Sequence, residues 1–173
     1  MNYTSKISAF IFLFFININL SNAQSQDKIY SVFLLNFIKY VEWPSSESNN
    51  EFVIGVIGTT SIGDYLKSVS SLKTAGIPKI LLKQCRSIND VNGCHMLFIA
   101  EDKSSIVPEI SNKLSNEATL LVTEKSGLAK KNGGISFLLV DDKIKFEINK
   151  TAMERKGLKI SSSLSSLGII VSN

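Results

Sequence analysis

From residue 52 the chain reads Phe52-Val53-Ile54-Gly55-Val56-Ile57-Gly58, without a polar side chain at either alternating set of positions. A strand built from this stretch has no face to offer water, so it must be covered on both sides. Shorter segments of the same kind follow at Lys79 to Lys83, His95 to Ala100 and Thr119 to Thr123. Between them, Ile62 to Val69 and Ile106 to Leu114 carry helical spacing, the latter with Ser104 or Ser105 as its cap. Alternation of buried strands with helices predicts a mostly parallel sheet with helices on both faces.

The flanks complete this pattern. Asp27 to Val41 predicts a helix capped by Asp27. Ile29, Phe33, Phe37 and Tyr40 form one apolar stripe, and Tyr30, Leu34, Ile38 and Val41 widen it. Pro44 holds Trp43 out of helical dihedrals and ends the element. Ser45 to Asn50 reads as a solvated loop. Further on, Ile135 to Val140 and Ile144 to Ile148 flank Asp141-Asp142-Lys143, a tight hairpin signal. The alternation of Lys143, Lys145 and Glu147 with Ile144, Phe146 and Ile148 marks an edge or solvated strand. Thr151 to Lys156 forms a short helix stopped by Gly157, and Ser161 to Leu167 a last one. The expected fold is a single compact α/β domain: a mixed, mostly parallel sheet flanked by helices on both faces, with a C-terminal antiparallel hairpin. No internal repeat or domain linker interrupts it.

Residues 1–23 read as a signal peptide. Lys6 supplies a cationic start, the run from Ile7 to Ile16 is almost wholly apolar, and Ser21-Asn22-Ala23 places small residues at the cleavage positions. The apolar run is shorter than the roughly 20 residues of a membrane span. The domain then covers residues 24–173, exported and free in an oxidising compartment. Loss of Lys6 lowers the formal charge from +4 to +3. This small excess is spread among alternating lysines and acids, which argues against nucleic acid as a partner. In such a compartment the two cysteines, Cys85 and Cys94, read as a disulfide across a polar turn. Two free thiols or a zinc site using His95 are the alternatives. Zinc takes four ligands, and two Cys and one His fall short.

Motifs for chemistry are sparse. Gly55, Gly58 and Gly63 do not have dinucleotide-loop spacing, and tight turning explains them. No G-x-S-x-G elbow occurs. The single histidine, His95, reads as a satisfied structural imidazole, because no nucleophile or orienting acid is paired with it. Asp141-Asp142 fits a turn better than a metal pair, and Ser161-Ser162-Ser163 fits a cap. Gly127 to Gly134, with Lys130 and Lys131, reads as an exposed loop. Neither a cofactor nor a catalytic set is expected.

Four ordered segments carry a resemblance: Phe33 to Pro44, ending Tyr40-Val41-Glu42-Trp43-Pro44; Cys94-His95-Met96-Leu97-Phe98-Ile99; Gly127-Leu128-Ala129 with Asn132-Gly133-Gly134-Ile135; and Phe146-Glu147-Ile148-Asn149 followed by Gly157-Leu158-Lys159-Ile160-Ser161-Ser162. Together they resemble the YfiR family of small exported bacterial proteins, over about residues 27–171. The resemblance implies a periplasmic homodimer with an α/β sandwich and disulfides. It also implies repression of a membrane-bound diguanylate cyclase through that enzyme's periplasmic domain, which reducing conditions disturb in some members. The family offers no catalytic residues to carry over, and this chain has only two cysteines.

The function expected from these readings is a periplasmic regulatory binding protein, not an enzyme. It acts in the cyclic-di-GMP pathway or on a sensor kinase by holding an inner-membrane signalling protein inactive. Candidate contact residues are Tyr40, Trp43, Leu164 and Leu167. The alternative is a periplasmic small-ligand sensor or solute-binding module, with Gly58 to Gly63 and the loop after Glu124 lining a crevice at the strand ends.

Overall fold

The computed structural model describes residues 17–44, 51–70, 78–132 and 134–172. The apolar run from Ile7 to Ile16 and the loop Ser45 to Asn50 lie outside them. Helix α1 (Asn17–Tyr40) leads into the short strand β1 (Val41–Glu42). Then follow β2 (Glu51–Ile57), α2 (Ile62–Ser70), β3 (Lys79–Cys85), β4 (Met96–Ile99), α3 (Val107–Lys113), β5 (Leu120–Thr123), α4 (Leu128–Asn132), β6 (Ile135–Val140), β7 (Lys143–Ile148), α5 (Lys150–Arg155), β8 (Lys159–Ile160), α6 (Ser162–Leu167) and β9 (Ile169–Ile170). The main sheet has the order β3-β2-β4-β5-β6-β7-β9. Its first five strands run parallel, β7 returns antiparallel to β6, and β9 lies parallel to β7. Counted along the chain, the parallel strands stand in the order 2-1-3-4-5. This is a doubly wound arrangement whose chain direction switches between β2 and β4. The fold class expected from the sequence is the one observed, with a separate two-stranded sheet (β1 against β8) added.

The two sides of β2 feed two cores. Phe52, Ile54 and Val56 join Met96, Phe98, Val122, Phe137 and Phe146 beneath α1, while Ile57 joins Leu97, Ile99, Leu121, Val107 and Ile110 beneath α3. The helix α1 is held by rings: Tyr30 stacks on Phe137 at 4.3 Å between centroids, and Phe37 meets Phe146 edge-on at 5.2 Å. Such pairs add about 0.5–1.5 kcal/mol each beyond the area they bury.

Several local expectations change. Asp27 sits inside α1 and does not cap it; its carboxylate serves the next helix instead, as described below. The buried stripe of α1 is Tyr30-Leu34-Phe37-Ile38, whereas Ile29 is 42% exposed, because the sheet covers only one side of the helix. Neither Ser104 nor Ser105 caps α3; both lie in a 3-10 run, Glu101–Ile106, that feeds it directly. The Gly127–Gly134 loop contains α4, with Ala129 buried and its carbonyl accepting from Asn149 Nδ2 at 3.1 Å. Strand β7 is not wholly an edge, since β9 pairs with Glu147 and Ile148. The hairpin turn is two residues long, Asp141 at φ 50° and Asp142 at φ 58°, the mirror-image turn that suits the twist of its strands.

Candidate functional site

The switch point between β2 and β4 is where a doubly wound sheet ordinarily opens for a ligand, often with loop amides facing a phosphate. Here two carboxylates fill that position. Gly58 turns the chain out of β2 at φ +108°, so tightly that a Cβ there would meet Asp102 Oδ1 and lie 2.7 Å from the Ala100 side chain. Asp102 then accepts from the Thr59 N–H at 3.0 Å and the Thr59 hydroxyl at 3.2 Å. Asp27 reaches down from α1. Its Oδ2 accepts from the Ser61 N–H and Ser61 hydroxyl, both at 2.6 Å, and from the Thr60 hydroxyl at 3.0 Å. Two amides of the loop before α2, those of Thr59 and Ser61, are thus taken by the protein's own anions, and the Ile62 N–H donates to the Thr60 hydroxyl at 3.2 Å.

Beside this plug lies an open cleft of about 400 Å³, lined by Tyr30, Glu101, Glu124, Lys125, Phe137 and Leu139 among others. Glu124 accepts from the Glu101 N–H at 2.8 Å. Burial, then the charges of Asp27, Glu101 and Asp102, push the Glu124 carboxyl above its ordinary range, against the opposing Glu101 hydrogen bond. Burial and the charges of Glu124, Asp27 and Glu101 likewise push the Tyr30 phenol up to about 12. This end of the molecule is anionic although the chain as a whole is cationic.

Under the opposite face sit the cysteines. Gly55 is not at a turn, as the sequence reading has it, but in the middle of β2, where its missing side chain leaves room for sulfur. A Cβ at Gly55 would lie 2.7 Å from Cys94 Sγ, 2.8 Å from Leu97 Cδ1 and 3.4 Å from Cys85 Sγ. Both residues are present as buried thiols, side by side. The proximity of Cys94 lowers the Cys85 pKa against the effect of burial, while Cys85 and burial raise that of Cys94.

At the N-terminal ends of the strands, His95 extends the β2–β4 ladder. Its N–H donates to the Val53 carbonyl at 3.0 Å, and its Nδ1 accepts from the Val53 N–H at 3.0 Å, so the ring stands in for a backbone carbonyl. Burial holds its pKa below the ordinary value.

The four candidate contact residues differ in exposure, although Tyr40 lies beside the start of α6, its carbonyl accepting from the Ser161 N–H at 2.9 Å. The Trp43 ring meets Phe52 edge-on at 4.8 Å, and its indole N–H donates to the His95 carbonyl at 3.1 Å. Tyr40 is half-buried, with the Lys39 ammonium 5.4 Å from its ring centre. Leu164 lies in the core, but Leu167 is 67% exposed. Sequence reasoning missed the neighbours of Leu167: Ile169 and Ile170 are also exposed, on the outermost strand of the sheet. The adjacent pair of isoleucines was the available signal, since a strand buried on one face hides only alternate residues.

A family model described as YfiR/HmsC-like matches residues 27–168. No curated protein matches the chain.

Two outcomes are expected. Gly55→Ala should destabilise the fold by about 1–3 kcal/mol, the usual cost of overpacking, read from denaturant unfolding; an unchanged midpoint would mean the sulfurs do not crowd this position. For His95 the sign follows from its depressed pKa. The unfolded chain takes the proton first, so stability is complete above about 6.5 and declines as pH falls below it. His95→Gln should therefore flatten the fall in melting temperature between about pH 7 and pH 5. A fall as steep as the parent's would remove His95 as its source.

Proposed function

The chain belongs to the YfiR/HmsC-like family, and from that premise we propose that it represses an inner-membrane signalling protein, a diguanylate cyclase or a sensor kinase, by binding that protein's periplasmic domain. Family membership supports a periplasmic regulator in cyclic-di-GMP signalling. Among the described residues no helix is long and apolar enough to cross a membrane. In this reading the leader is removed after Ala23, the domain works as a homodimer, and it acts by contact and not by turnover.

The observation that carries the reading is the apolar edge at Leu167, Ile169 and Ile170. These residues are 67%, 42% and 50% exposed and end a sheet whose last strand is only two residues long. An edge strand offers unpaired backbone groups to a partner strand, and its exposed aliphatic side chains add area to the contact. Repression requires tighter binding to the receptor's inactive form than to its active form; a hundredfold difference amounts to about 2.7 kcal/mol. Placement of the two thiols under Gly55 supports a Cys85–Cys94 disulfide in the exported protein, formed by exchange with an oxidised envelope thiol carrier. Closing so short a loop adds about 2–3 kcal/mol on the chain-entropy model.

Deletion of the gene is expected to raise second-messenger or kinase output. Complementation with Leu167→Glu or Ile170→Glu is expected to fail although the variant accumulates folded. Unchanged output on deletion, or full complementation by both variants, would overturn the reading. Mass measurement after alkylation of the unreduced exported protein is expected to find neither cysteine modified; two alkylated cysteines in the unfolded chain would remove the disulfide.

A further inference from the structure

Tyr30 is 5% exposed, and its ring is packed on Phe137, yet its hydroxyl has no hydrogen-bond partner among the described residues. The oxygen is not sealed in, because no fully enclosed side-chain polar atom lacks a partner among the described residues. It opens on the cleft of about 400 Å³ that Tyr30 lines. Two further features of this cleft need a counterpart. Glu101 and Glu124 both border it, and no ion pair among the described residues includes either of them. The other wall is apolar, formed by Phe137, Leu138 and a Leu139 that is 56% exposed.

We propose that this cleft binds a small organic ammonium, with its charged head between Glu101 and Glu124, one N–H donated to the Tyr30 oxygen, and its apolar body against Phe137 and Leu139. Each part of the ligand's chemistry answers a feature of the walls. A carboxylate or phosphate would meet Glu101 and Glu124, with Asp27 and Asp102 behind them, and the nearby loop amides are already taken. A bare metal ion lacks a ligand set, since among the described residues no three Asp, Glu, His or Cys converge to hold one. A neutral apolar molecule would bury carboxylates without compensating them. The volume lies within the range of small-molecule sites, so the ligand is a small molecule and not a protein segment. Lys125 stands at the rim and sets a limit: a ligand with a second ammonium there would be repelled. The Glu124 carboxyl, raised by burial and neighbouring charge, would be drawn toward its ionised form as the cation arrives. Ligand binding is read on the purified protein, whether or not any partner docks at Leu167.

The test is calorimetric titration of the purified protein near pH 7.5 with phenethylammonium, with 2-phenylethanol as the neutral isostere and calcium as the bare cation. Phenethylammonium is expected to bind with a dissociation constant of about 1 mM or tighter, and at least tenfold more tightly than the alcohol or calcium. Glu124→Gln should weaken it about tenfold, and Tyr30→Phe, which removes only the oxygen, about threefold. Circular dichroism checks that each variant is folded, and Glu101→Gln replaces Glu124→Gln if that variant is not. No binding at about 10 mM, equal binding of the alcohol, or affinity unchanged in Tyr30→Phe and in the glutamate variant would each overturn the proposal.

Discussion

The carboxylates of Asp27 and Asp102 decide what this sheet can do. They bind the loop that leaves β2, where a parallel sheet of this order ordinarily presents its amides to a ligand. One acid comes from α1 and the other from the 3-10 run that follows β4, so the loop is tied to both at the switch point. The chemistry follows from the sign of the charge. An anion is excluded from a position that the backbone would otherwise favour, and the neighbouring cleft, bordered by Glu101 and Glu124, is anionic as well. A doubly wound body thereby becomes a poor phosphate site.

The same helix that brings Asp27 also closes one core. Tyr30 and Phe37 lie on Phe137 and Phe146, so the antiparallel hairpin and the parallel strands are joined under a single helix. On the other face, the empty position at Gly55 lets two sulfurs meet against the sheet. Packing thus brings together residues 85 and 94 independently of any bond between them. At the margins lie an acidic cleft at the strand ends and an aliphatic edge at Leu167, Ile169 and Ile170.

Much of this architecture is written locally. The strand Glu51–Ile57 has no polar face, so burial on both sides follows from its residues alone, and the parallel sheet follows from that. The caps at Ser161 and Asn149 and the turn at Asp141-Asp142 depend on neighbours a few positions away. The misread features depend on distant partners. Asp27 precedes a helical stripe and so resembles a cap, but its acceptor role is set by Thr60 and Ser61, more than thirty residues on. Gly55 resembles a turn residue until Cys85 and Cys94 are seen above it. Leu164 and Leu167 share a helical face by spacing, yet α6 ends at Leu167 and Gly168 is extended, so one is covered and the other is not. The Tyr30 cleft combines helix α1, strand β6, the 3-10 run after β4 and the loop after β5, and no spacing within any one of them announces it.

Closure of the strand-end loop by its own carboxylates can be read at the amide protons of Thr59 and Ser61. In a nuclear magnetic resonance titration, both are expected to be protected from exchange with water and to keep their shifts when millimolar pyrophosphate is added. Rapid exchange of these two protons, or saturable shifts on adding pyrophosphate, would show that the amides are open to anions and would contradict the account.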